Sequence, residues 1–114
     1  MTTFEDGPAK GKALGLKRTP IFLRVVQGRD GTWDALDQLG DTAAAGETVY
    51  VYFLVRKDGD VHVCTRGKGG GGWYGLATYK LYHTQPPQET LLSNMAWADW
   101  VRGEVEKEKV QNAH

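Results

Sequence analysis

Cysteine is nearly missing from this chain: Cys64 is the only one in 114 residues. An intrachain disulfide is therefore impossible, and the four-ligand cysteine or cysteine–histidine frameworks of structural zinc are excluded. A reducing, cytoplasmic setting is the expectation, with no metal and no cofactor. Long apolar runs are also lacking. No stretch approaches the ~18 apolar residues of a membrane span, and Met1-Thr2-Thr3-Phe4-Glu5-Asp6 has neither a basic n-region nor an apolar core, so no membrane partner is expected. A surplus of charge is absent too, because 14 basic residues balance 14 acidic ones. Overall charge thus points neither to a polyanion nor to a lipid surface.

What is present suits one folded domain: 40% hydrophobic and 25% charged residues is an ordinary globular mix, despite 15 glycines. Charge is segmented along the chain. Residues 1–30 hold six basic and three acidic side chains, and residues 31–48 four acidic and none basic. Residues 49–85 carry five basic against two acidic, and residues 86–114 three against five.

Residues 1–19, rich in Gly, Lys and Ala, are expected to form a mobile basic arm, leaving residues 20–114 as a single domain. Ile21-Phe22-Leu23-Arg24-Val25-Val26 reads as a strand. Thr32 suits the N-cap of a short helix through Trp33-Asp34-Ala35-Leu36-Asp37-Gln38-Leu39, stopped by Gly40. The strongest signal is Thr48 to Val55, which reads as a strand. Asp58-Gly59 then predicts a tight hairpin, with Val61 to Thr65 returning antiparallel and Trp73 to His83 as a third meander strand of ambiguous register. Pro86-Pro87 opens a C-terminal helix of about twenty residues from Gln88. The expected fold is α+β, a two-layer domain with an antiparallel or mixed four-stranded sheet and helices on one face.

Period-two alternation puts Val49, Val51, Phe53 and Val55 toward the helices, with Val61 and Val63 joining them. Tyr50, Tyr52, Leu54 and Arg56 fall on the other face, with His62 and Cys64 beside the tyrosines. With Lys80 and Tyr82, that second face has two readings. One is an aromatic and basic surface that stacks bases and holds phosphates; the other is an ordinary half-solvated face of cross-strand tyrosine pairs. Arg66-Gly67-Lys68, the following Gly69–Gly72 run and Trp73 likewise read either as an anion cradle or as a flexible hairpin tip. On the C-terminal helix, Leu91, Met95, Ala98, Val101 and Val105 form the expected core stripe. Trp100 falls opposite, as an interface anchor or as a ring lying over Gly103.

A catalytic constellation is not evident. His62 and Cys64, two apart on one strand, are not expected to hydrogen-bond, and Asp58 and Asp60 are explained by the turn around Gly59. Val49-Tyr50-Val51-Tyr52, a hairpin, then Val61-His62-Val63 resembles the opening hairpin of GIY-YIG nucleases over fewer than twenty residues. A glycine run and strand follow where that family has a helix with a catalytic arginine, and His62 lies near the place of its second tyrosine, so the likeness is read as shared hairpin chemistry. The expected role is that of a small binding module acting through the sheet face and glycine loop, such as an inhibitor or adaptor of a phage or mobile element. Its partner is a protein or a nucleic acid, and a small hydrolase or nuclease using His62 or His83 is the enzyme alternative.

Overall fold

Hydrogen bonding along the Thr48–Val55 signal organises the molecule. The computed structural model describes residues 1–36, 47–64 and 71–112. Within them lie β1 (Thr2–Phe4), β2 (Ala13–Leu14), β3 (Phe22–Gln27), β4 (Trp33–Leu36), β5 (Thr48–Val63), β6 (Gly72–Leu81), α1 (Gln88–Leu92) and α2 (Asn94–Asn112). The strands form one six-stranded mixed sheet in the order β2-β1-β6-β5-β3-β4, in which only the β1–β6 pair is parallel. The α+β class stands, in one compact domain, with six strands instead of the expected four. No helix among the described residues is long and apolar enough to cross a membrane.

Both helices pack on one face, as alternation predicts. Phe22, Val26, Val49 and Val51 are buried there with Leu91 of α1, and Phe53, Tyr82, Trp97, Trp100, Val101 and Val105 close around them. Phe22 is the hub, its ring 5.1 Å from Phe53, 4.9 Å from Tyr82 and 5.2 Å from Trp100 in edge-to-face contacts. Buried Arg24 fixes the helices to the sheet. Its guanidinium donates to the Leu91 carbonyl at 3.1 Å and to Asn94 Oδ1 at 2.9 Å, and lies 5.0 Å from the Trp97 ring centre.

The expected single C-terminal helix is broken at Ser93, whose ψ of 127° is extended. The Ser93 hydroxyl accepts from the Ala96 N–H at 3.3 Å, capping α2 afresh. Of the expected stripe only Leu91 lies before the break; within α2 Met95 is 81% exposed and Ala98 is exposed, and the face turned to the sheet is Trp97, Trp100, Val101 and Val105. Trp100 is therefore beside Val101 and Val105 on the packed face and not opposite them.

The tyrosine face is not open. Residues 1–19, expected as a mobile arm, supply β1 and β2 and lie across it, burying Phe4, Ala9 and Leu16 with Leu23, Val25, Tyr52, Ala77 and Tyr79. Tyrosine hydroxyls make this possible. The Tyr52 hydroxyl accepts from the Ala9 N–H at 2.9 Å and donates to the Asp6 carbonyl at 3.1 Å, and the Tyr79 hydroxyl donates to the Pro20 carbonyl. Asp6 Oδ1 accepts from the Leu81 N–H at 2.6 Å. At Gly7, with φ of +73°, an added Cβ would stand 2.7 Å from the Tyr52 hydroxyl, so the close approach needs glycine.

Two further expectations fail for one reason, that sheet pairing satisfies backbone groups better than the local alternative. Trp33–Leu36 is β4 and not the start of a helix, paired antiparallel with β3, and the Thr32 hydroxyl donates to Asp30 Oδ1 at 2.7 Å within the Gly28–Thr32 turn. The rest of that expected helix lies outside the described residues. Asp58-Gly59 is not a hairpin tip: β5 runs through it, with register shifts between Leu54 and Arg56 and between Lys57 and Gly59. Gly59, at φ +116°, is accommodated within a bulged strand.

Replacing Tyr52 with Phe leaves the buried Ala9 N–H without its acceptor, which should destabilise the fold by ~1–3 kcal/mol. Denaturant melts together with hydrogen exchange check this; the Ala9 amide should lose protection more than amides of β3 do.

Candidate functional site

Beyond Phe53, no strand among the described residues pairs with β5 on its β3 side, and β5 continues only against β6. This outer part of the β5–β6 ribbon carries most of the exposed large apolar side chains of the sheet: Val55, Val61, Val63 and Trp73. Its register places the chemistry. Each bulge, at Val55 and at Asp58, inverts the alternation, and the two inversions cancel. His62, paired with Trp73, therefore returns to the tyrosine side of the sheet, whereas Arg56, between the bulges, is carried to the helix side with Thr78.

At the ribbon's outer end Trp73 is 63% exposed, with the His62 ring edge-on at 5.0 Å. Cys64 Sγ is 3.4 Å from His62 Nδ1, so these two side chains do meet, contrary to the expectation from their spacing. Both are solvent-exposed, and among the described residues no group of three or more His, Cys, Asp and Glu side chains is arranged to hold a metal ion.

Further in, on the same side, a strap formed by residues 16–21 crosses the ribbon. Its backbone is tied at both ends: the Leu16 carbonyl accepts from the Gly75 N–H at 2.7 Å, and the Ile21 carbonyl from the Leu54 N–H at 2.8 Å. Gly75 lets the strap lie against β6, since a Cβ there would stand 2.4 Å from Thr19 Cγ2. Between strap and ribbon is an open cleft of about 500 Å³ lined by Lys17, Arg18, Thr19, Pro20 and Lys57. Lys17 also sits 5.9 Å from the Tyr74 ring centre. Sequence reading missed this strap because it assigned residues 16–19 to the arm and Ile21 to the first strand.

The expected binding residues are thus dispersed. Tyr52 is core, and Tyr50 is half-buried with its ring 5.9 Å from that of Trp33. Arg56 is exposed and paired with Asp58 at 2.9 Å. Lys80 is exposed on the helix side, opposite Phe53 in the ladder. Tyr82 and Trp100 belong to the helix layer, their rings 5.9 Å apart. Of those among the described residues, only His62 and Trp73 come together as an exposed pair. Arg66, Lys68 and the Gly69–Gly70 part of the glycine run lie outside the described residues. The expected GIY-YIG-like hairpin does not exist, since its two halves lie on one continuous strand.

Tyr82 is explained structurally. Its hydroxyl donates to Glu104 Oε2 at 2.8 Å, and Lys107 reaches Glu104 Oε1 at 3.0 Å. Burial and then the Glu104 hydrogen bond push the Tyr82 phenol up to about 12. Burial works against the Glu104 carboxylate, but hydrogen bonds from Tyr82 and Lys107 outweigh it and hold the group below its ordinary value.

The signs follow from proton linkage. Folded Tyr82 keeps a proton that the unfolded chain releases near its usual pKa of about 10. Its contribution is therefore present below that pH and lost as pH rises toward the folded value. Glu104 acts in the opposite direction: its contribution is present above the ordinary carboxylate range and lost as pH falls through the depressed value. In thermal melts across pH, Tyr82→Phe should flatten the alkaline limb and Glu104→Gln the acid limb.

No family model matches the chain, and no curated protein or solved structure is significantly similar to it.

Proposed function

We propose that this protein is a binding module for a nucleic-acid strand, and that the outer β5–β6 ribbon is its contact element. The observation that carries this reading is Trp73, 63% exposed beside His62 on the same side of the ribbon as Lys57. An indole held out on a paired strand loses little further freedom on binding, and its face accepts any base. The register supports a shared surface. Lys57 pairs with Ala77, four residues from Trp73 on a strand whose own alternation is unbroken, so the two residues lie on one side with their ladder positions about 13 Å apart. Lys17 and Arg18 add charge beside them. Arg66 and Lys68, between the two strands in sequence, extend the same basic bias.

The reading moves the expected contact surface from the tyrosines to the ribbon. It does not need net positive charge, because a local stripe of cations is enough to release counterions from phosphates.

Anisotropy titration of a labelled single-stranded oligonucleotide, at low and at physiological salt, tests it. Affinity should fall steeply with salt. Trp73→Ala should cost ~1–3 kcal/mol of binding, while Lys80→Ala, on the helix side, should change little. Failure to bind at low salt, or indifference to Trp73→Ala, overturns the reading; the exposed Val61 and Val63 would then be the surface to test against a protein partner.

A further inference from the structure

Three cations line the cleft between the strap and the ribbon, and edge protection accounts for only one of them, Lys57. Lys17 and Arg18 have no ion-pair partner among the described residues, and Lys57 has only Asp60, at 4.0 Å between two half-exposed side chains. Such an exposed pair is weak and yields to a better anion. The strap that carries Lys17 and Arg18 is anchored at Leu16, Pro20 and Ile21.

We infer that this cleft is a phosphate-binding site, with Lys17, Arg18 and Lys57 neutralising the charge and donating hydrogen bonds to the phosphate oxygens. The ligand chemistry is an oxyanion rather than a flat apolar group, because the lining offers three cations and the ring of one proline. The phosphate's source is the backbone of a nucleic-acid strand, an assignment that rests on the reading of Trp73 above. A base stacked on Trp73 would leave its backbone against the strap, which crosses the same side of the ribbon at Gly75. The strap makes the site rigid: its carbonyls are bound to both ribbon strands, and Gly75 is what allows it to lie close.

Two titrations test the assignment. In the first, inorganic phosphate is added to the isotopically labelled protein at constant ionic strength while amide resonances are followed. Saturable shifts confined to residues 17–20 and 57 are expected, and Arg18→Ala/Lys57→Ala should abolish them. Because both side chains are exposed, the double variant should melt like the parent. Asp60→Asn, which removes the competing carboxylate, should tighten phosphate binding severalfold. Shifts that do not saturate, spread over the surface or survive in the double variant overturn the proposal.

In the second, the salt dependence of oligonucleotide binding is compared between parent and double variant. Losing one phosphate contact lowers the slope of log affinity against log salt by about 0.7. If the slope is unchanged while Trp73→Ala still weakens binding, the cleft proposal falls and the ribbon reading stands. If phosphate binds as described but no oligonucleotide does, the phosphate site stands and the nucleic-acid reading falls.

Discussion

The Tyr52 hydroxyl is the point on which the arrangement of this protein turns. Buried on the central strand, it needs both an acceptor and a donor, and the N-terminal segment supplies them through the Asp6 carbonyl and the Ala9 N–H. A phenol in an apolar layer without partners would cost about as much as any buried orphan. Once the segment is bound, the sheet has a second covered face, and Phe4, Ala9 and Leu16 complete a core that the helices do not reach. The chain then leaves this layer through the strap that reaches β3, so the position of the basic cleft follows from the same contact.

The bulges in β5 have the complementary effect. By absorbing Val55 and Asp58 without a ladder partner, they let one strand continue past the edge of both layers and still pair in register with β6. They also reassign side chains. Without them, Arg56 would share the side of Tyr52, and Lys57 would point to the helices. With them, Lys57 meets the strap and Arg56 is left to Asp58. A basic cleft at the boundary between body and ribbon thus requires a local irregularity in an otherwise regular strand.

The helix side of the fold was legible in the sequence because one strong alternation, Val49, Val51 and Phe53, determined it, and Phe22 and Val26 follow the same rule on the adjacent strand. The tyrosine face was legible as a face but not as an interior. Tyrosines at alternating positions fit both a half-wet surface and a buried layer whose hydroxyls find backbone partners, and those partners lie 43 and 46 residues away along the chain for Tyr52. Composition misled at the arm: Gly7 and Ala9, which suggest disorder when counted, are what allow a backbone to approach a ring. Asp58-Gly59 misled similarly, since a residue pair that tolerates positive φ serves a bulge as well as a turn. Of the candidate site, Trp73 and His62 could be named in advance. The strap could not, because it depends on Gly75 accepting Thr19 across the sheet.

Exposure on the ribbon needs to be separated into what edge protection explains and what it does not. A strand reaching beyond its sheet invites pairing with other chains, and proteins blunt such edges with bulges and charge. Val55 to Asp60 has both: two register shifts and the ion pairs Arg56–Asp58 and Lys57–Asp60 within six residues. These features account for the charges along the β5 edge and make its exposed valines tolerable. They do not account for Trp73, which is on the partner strand, or for Lys17 and Arg18, which are on the strap. A smaller polar residue at 73 would keep the ladder and remove a large exposed apolar surface. What remains unexplained by folding is therefore an aromatic ring and a cluster of cations on the same side of one ribbon, a combination that a strand of bases and phosphates complements.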